Sequence, residues 1–236
     1  MTKRTLIALV VVPALCGAQA TQTTLLPEQQ AQHALSRLAF GPRPGDIAKV
    51  RAMGVDKWID RQLHPEKIDD SETVSLLKRY RTLETPTDEI ARAYREAQQR
   101  RRQEQRMAAM ADSAAGRTGN AQQPLPQPQP DPAGRELRNR VITDLMSAKV
   151  ARAASSERQL YEVMVDFWEN HFSVFANKGQ TRVYLSGYDR EVIRPRAMGR
   201  FRDLLNAVAH SPAMLFYLDN AQSRADSAHP TLQNPR

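Results

Sequence analysis

Phe167, Trp168, Glu169, Asn170, His171 and Phe172 stand consecutively, and nowhere else in the chain do an aromatic pair, a carboxylate, an amide and an imidazole share a turn and a half of helix. An imidazole in that setting could take a proton or ligate a metal, with Asn170 or Glu169 in support. On a 3.6-residue helix Met164, Trp168, His171 and Phe175 share one side. The pattern therefore predicts that His171 faces the interior or the floor of a cleft, and that Glu169 and Asn170 point outward. A buried neutral imidazole needs a partner for each ring nitrogen. If a backbone carbonyl takes one, the other is open to a neighbouring helix, a ligand, a metal or a catalytic proton.

A metal centre has little else to draw on. Glu169 and His171 are two residues apart and diverge by about 200° around a helix. His33, His64, His210 and His229 are scattered, so His171 is a lone metal candidate whose partners must come from distant segments. His210 ends a helical pattern and fits a capping role. Asp189, Glu191 and Asp203 sit beside Arg190, Arg194, Arg200 and Arg202, a pattern expected of surface ion pairs. The sequence has no Gly-rich phosphate loop, nucleophile elbow or Cys–His pair, and no cofactor is assigned.

The elements that must position these groups follow a leader. Lys3 and Arg4 precede an apolar run from Leu6 to Leu15, and Ala18, Gln19 and Ala20 form a small-x-small cleavage site. The run is too short to span a bilayer, so residues 1–20 are expected to be a signal peptide and the rest periplasmic or extracellular, with no transmembrane segment. Leu15 stands where a lipoprotein signal before Cys16 needs a small residue. The chain carries +8, and the leader holds two basic and no acidic residues, which leaves +6. Its only cysteine, Cys16, leaves with the leader, so stability must come from packing. Much of the basic excess lies in residues 92–106, with Tyr94 the sole aromatic. That argues for a solvated face or an anionic envelope partner rather than nucleic acid.

The pattern is helical nearly throughout, without strand alternation or internal repeats. Residues 21–84 read as an N-terminal helical module. Three short helices there are split by Gly41-Pro42, Gly54 and His64-Pro65, with Asp46 and Asp56 opening the second and third, and a fourth covers residues 71–83. Thr85-Pro86 opens a long Arg/Gln-rich helix over 85–115 whose second half has no core face. Residues 116–134, with prolines at alternate positions, read as a disordered linker. The second helical part covers 135–222. A helix carrying Leu137, Val141, Leu145 and Ala148 ends near Ala154. Ser156 and Gln159 form a capping box, Tyr184, Gly187 and Tyr188 lie in a loop, Phe201 to Val208 form another helix, and Ser211-Pro212 caps the last. Residues 223–236 read as a flexible tail. The expected class is all-α: an irregular array of short helices with a disordered Pro/Gln-rich insertion and no substantial sheet.

Several blocks resemble the domain of unknown function 1800 family. Ala34 through Asp46, with Phe40-Gly41-Pro42-Arg43-Pro44-Gly45, is similar to its opening, as is Met53-Gly54-Val55-Asp56 through Leu63. Trp168-Glu169-Asn170-His171-Phe172 resembles its Trp-x-Asn-His-Phe signature, and Ile193 through Leu205 and Pro212 through Asn220 resemble later blocks. The resemblance implies an exported, mostly helical bacterial protein without an established activity. It also implies a histidine where this chain has Arg196, and a continuation past the Leu218-Asp219-Asn220 block, so that the chain is expected to be an N-terminal portion. Two functions are then open. One is an envelope binding or assembly protein. The other is a hydrolase-like or metal-assisted enzyme using His171, its site completed by sequence after Arg236.

Overall fold

In the computed structural model, which describes residues 25–114 and 132–223, the protein is all-α, with ten α-helices joined by short 3-10 and π turns and no strand among the described residues. The expected leader, the linker up to residue 131, the tail beyond Ser223 and His229 lie outside the described residues.

Helices α1 (Pro27–Leu38), α2 (Asp46–Met53) and α3 (Val55–Leu63) form the first cluster. They close over Ala31, Ala34, Leu35, Val50 and Trp58. Gly54 turns α2 into α3 at φ 91°, a left-handed conformation that favours glycine. Asp46 does not cap α2 with its side chain; its carboxylate accepts the Arg43 backbone N–H at 3.1 Å and the Arg43 Nε–H at 2.8 Å. The expected fourth helix is cut short. After α4 (Ser71–Leu77), Thr82 gives its N–H and hydroxyl to Asp144 at 3.1 and 2.8 Å, which ties the chain to α6 as a 3-10 turn.

The long helix α5 (Thr87–Ala114) buries Ile90, Ala91, Tyr94 and Ala97 in its first half. Ile90, Ala91 and Tyr94 meet Val141 and Val183. From Gln98 the helix leaves the body, and Met107 and Met110 are exposed. Helix α6 (Pro132–Ser155) begins inside the expected linker: Pro132, Ala133 and Gly134 are its first turn, where a proline is tolerated because its missing N–H would have no partner. Helix α7 (Gln159–His171) follows, then α8 (Thr181–Gly187), a π-helical turn (Tyr188–Ile193), a 3-10 turn (Arg194–Arg196), α9 (Phe201–Ala209) and α10 (Pro212–Tyr217). Val165, Tyr188, Ile193, Leu204, Val208 and Met214 form the core here. Ser211 caps α10 as expected, accepting the Met214 N–H at 3.2 Å.

The loop expected around Tyr184, Gly187 and Tyr188 is helical. Gly187 does not break the chain; it lets α8 approach α5, because a Cβ there would lie 1.9 Å from Thr87 Oγ1.

The α6–α7 turn is held by the N-terminal helices. Asp70 accepts the Ser156 hydroxyl and the Glu157 N–H, each at 2.9 Å. Gln62 donates to the Glu157 carbonyl at 2.9 Å and accepts the Leu160 N–H at 3.1 Å. Arg43 donates to the Ser156 carbonyl at 3.1 Å and pairs with Glu157 at 3.0 Å. Arg158 clasps the Ile68 carbonyl at 3.1 and 2.9 Å. The expected Ser156–Gln159 capping box is therefore not formed. Asp70 takes the serine, and the Gln159 side chain reaches the Phe40 N–H at 3.2 Å and the Ser156 carbonyl at 2.8 Å.

Asp70→Ala would leave a buried hydroxyl and an amide N–H without their acceptor. It should cost about 2–3 kcal/mol, read as a lower denaturant midpoint at unchanged slope, with Asp70→Asn losing less.

Candidate functional site

Helix α7 follows expectation at Met164 and Trp168, which pack against the core, and at Asn170, which points outward, but not at His171 and Glu169. His171 is exposed at the end of the helix. Its ring stacks on Phe167 with centroids 5.9 Å apart and meets Phe172 edge-on at 4.7 Å. Asn170 is exposed too, its amide donating back to the Asp166 carbonyl at 2.7 Å. Glu169 instead turns inward, with its side chain 23 % exposed. Trp168 is half-buried, and its indole N–H donates to the Ala197 carbonyl at 2.8 Å, pinning α7 to the start of α9. Of the three sequence candidates, Glu169 lines a cavity between the helices that His171 and Asn170 do not line.

That cavity has a volume of about 320 Å³ and lies between α6, α7, α8 and the π turn. Its lining includes an apolar set, Ile142, Leu145, Val174 and Leu185. It also includes an ionic set. Helix α6 supplies Lys149 and Arg152, α7 supplies Glu162, Asp166 and Glu169, and the π turn with its following residue supplies Asp189 and Arg194. Positions 162, 166 and 169 recur at helical spacing, so one face of α7 carries all three carboxylates.

The charges are interleaved. Lys149 Nζ lies 2.5 Å from Asp166 and 3.1 Å from Glu169. Asp189, 5 % exposed, sits between Arg152 at 3.5 Å and Arg194 at 3.7 Å. Arg194 also pairs with the buried Glu162 and lies over the Tyr161 ring at 5.2 Å. Asp189 was expected at the surface; its ion pairing is as read, but the pair is buried. Glu191 does pair at the exposed surface, with Arg190. Arg196, for which the family resemblance implies a histidine, donates to the carbonyls of Glu191 and Val192 at 2.7 and 3.2 Å. His210 bonds its own helix at the Asn206 carbonyl, 2.8 Å away, in the capping position expected. Among the described residues, no three His, Cys, Asp or Glu side chains are grouped to hold a metal ion.

Three cations thus share one cavity with four carboxylates, and Glu169 is the carboxyl whose proton affinity is raised. Burial, then the charge of Asp189 and a hydrogen bond shared with it, push Glu169 up to about 7 against the pull of Lys149. Burial also works against the charge on Arg194, but Asp189 and Glu162 keep it protonated well above the usual arginine range. Tyr188, buried and near Glu169, is pushed up and stays a phenol; it donates to the Phe172 carbonyl at 2.8 Å. A carboxyl that exchanges its proton near neutrality, between an ammonium and a second carboxylate, can donate or accept a proton or bind a ligand cation.

Sequence reasoning missed Arg152, Glu162, Asp166 and Lys149 altogether. The available signal was the run of acids at 162, 166 and 169 set against cations at 149 and 152.

Because the folded state raises the Glu169 value above the ordinary 4.5, the folded chain binds more protons there than the unfolded chain. Stability from this group is present at acid pH and falls as pH rises through 7. Glu169→Gln should therefore gain stability relative to wild type as pH rises from 4.5, reaching about 1–3 kcal/mol by pH 8. Chemical denaturation at several pH values reads this directly.

No curated protein and no solved structure matches the chain. Residues 33–231, which include every residue of the cavity, match the family described as Protein of unknown function (DUF1800). The chain, with its helical cavity between α6, α7 and the π turn, belongs to that family.

Proposed function

We propose that the chain is an exported envelope binding protein that holds a small amphipathic ligand in the cavity beside α7. The leader-like residues 1–20 support export. The observation that carries the binding reading is the mixed lining: an apolar set, Ile142, Leu145 and Leu185, shares the cavity with an ionic set that has one carboxylate in excess. An apolar body would cover the first. An ammonium or similar cation would complete the charge balance at Glu169 and Asp189 in place of the proton. The exposed arginines of α5 beyond Gln98 are available to an anionic envelope partner.

A second reading, an acid–base enzyme, is favoured by the same neutral-range carboxyl. It moves the working group from His171, which is exposed, to Glu169.

Octylamine and octanoate share an apolar body and differ in head charge. At pH 8 a saturating dose of octylamine should raise the melting temperature by about 3 °C, octanoate should not, and Glu169→Gln should remove most of the effect. Equal stabilisation by both would sink the cation-binding assignment. Hydrolysis of nitrophenyl esters with a pH midpoint near 7, lost in Glu169→Gln, would instead favour the enzyme.

A further inference from the structure

The aromatic face of α7 is left without an assignment once the cavity accounts for the opposite face. Five rings form a continuous cluster there. Phe167 meets Trp168 at 4.8 Å, Trp168 meets Phe172 at 5.9 Å and Phe201 at 5.8 Å, and His171 lies against Phe167, Trp168 and Phe172. Phe172 and Phe201 stack with planes 24° apart. The cluster is open to water: Phe167 is 50 % exposed, Phe201 is 52 % exposed, and Leu205, one turn further along α9, is 44 % exposed. Leu204 and Val208 already anchor α9 to the core, so the outward position of Phe201 and Leu205 is not required by packing.

The surroundings indicate what would cover it. Phe201 stands between Arg200 and Arg202, both exposed, with Asp203 the acidic residue of that turn. Aromatic side chains flanked by arginines at a helix start fit the interface of a bilayer, where rings enter the headgroup boundary and guanidinium groups meet lipid phosphates. The chain carries +8, and +6 without residues 1–20, which favours approach to an anionic surface.

We infer that the cluster of Phe167, Trp168, Phe172 and Phe201, with Arg200 and Arg202, is a docking surface for an anionic lipid bilayer. The centre of the cluster is held before contact, because the Trp168 indole donates to the Ala197 carbonyl and the Phe172 backbone carbonyl accepts the Tyr188 hydroxyl. Docking therefore needs no refolding, and it leaves the cavity on the other face of α7.

The test is co-sedimentation of the full chain with vesicles of phosphatidylcholine containing 30 mol % phosphatidylglycerol, and with pure phosphatidylcholine vesicles, at about 0.1 M salt. Binding is expected to the anionic vesicles and to be weaker by about tenfold on the neutral ones. Phe167→Ser with Phe201→Ser should lower anionic binding about tenfold, as should Arg200→Glu with Arg202→Glu. All four positions are exposed, and unchanged melting curves would confirm intact folding. In a Trp58→Phe background, emission from Trp168 should shift to the blue on binding. Absence of binding to anionic vesicles overturns the proposal. So does binding that survives both double variants, whether carried by the leader or by the α5 arginines, and so does loss of binding only in Arg100→Gln/Arg101→Gln/Arg102→Gln. Capture of a soluble protein by this face without vesicle binding would overturn it too.

Discussion

The turn between α6 and α7 is the constraint on which the rest of the molecule depends. Residues 155–160 reverse the chain between two helices that both bring charged side chains to the cavity. The N-terminal helices fix it with hydrogen bonds. Asp70, Gln62 and Arg43 bind backbone and side-chain groups of the turn, and Arg158 of the turn donates to the Ile68 carbonyl. Several of these bonds involve a charged partner and low exposure, the setting in which a hydrogen bond is strongest and its loss most costly. The N-terminal region is thus part of the frame that sets the angle between the two main walls of the cavity.

Given that frame, the ionic wall becomes possible. A buried carboxylate is costly unless a cation and hydrogen bonds accompany it. Glu162, Asp166 and Asp189 have such partners in Arg194, Lys149 and Arg152. Glu169 shares Lys149 and lies beside Asp189, so burial and that second carboxylate raise its proton affinity. The cavity is close to neutral overall and yet contains a group poised to change charge. Aliphatic side chains share its lining and lower the polarity around that group.

Much of the fold was legible in the chain because local rules decided it. Gly54 and Pro65 separate the early helices where a left-handed or fixed φ is needed. Ser211 and Pro212 open α10 by capping. The arginine-rich half of α5 is solvated because it offers no apolar face. The errors share a cause. Gly187 was read as a break, whereas it permits close contact with Thr87 on another helix. Ser156 and Gln159 match a capping box, but Asp70 and Phe40 bind them first. Thr82 and Leu83 lie in a 3-10 turn rather than the expected helix, with Asp144 holding Thr82. In each case a partner distant in sequence outweighed a local preference of about 1 kcal/mol.

The site divides along the same line. The sequence by itself determined that α7 carries the richest chemistry, that it is amphipathic, and that the chain is an all-helical member of its family. These follow from residue types and a 3.6-residue period. It could not determine which face of α7 turns inward. Hydrophobicity assigns the aromatic side to the interior and the acidic side to water, because it counts a carboxylate as solvated. Only the tertiary structure brings Lys149, Arg152 and Arg194 opposite Glu162, Asp166 and Glu169, and pairing with those cations is what lets the acidic face be buried while part of the aromatic face, and His171 with it, stays in water.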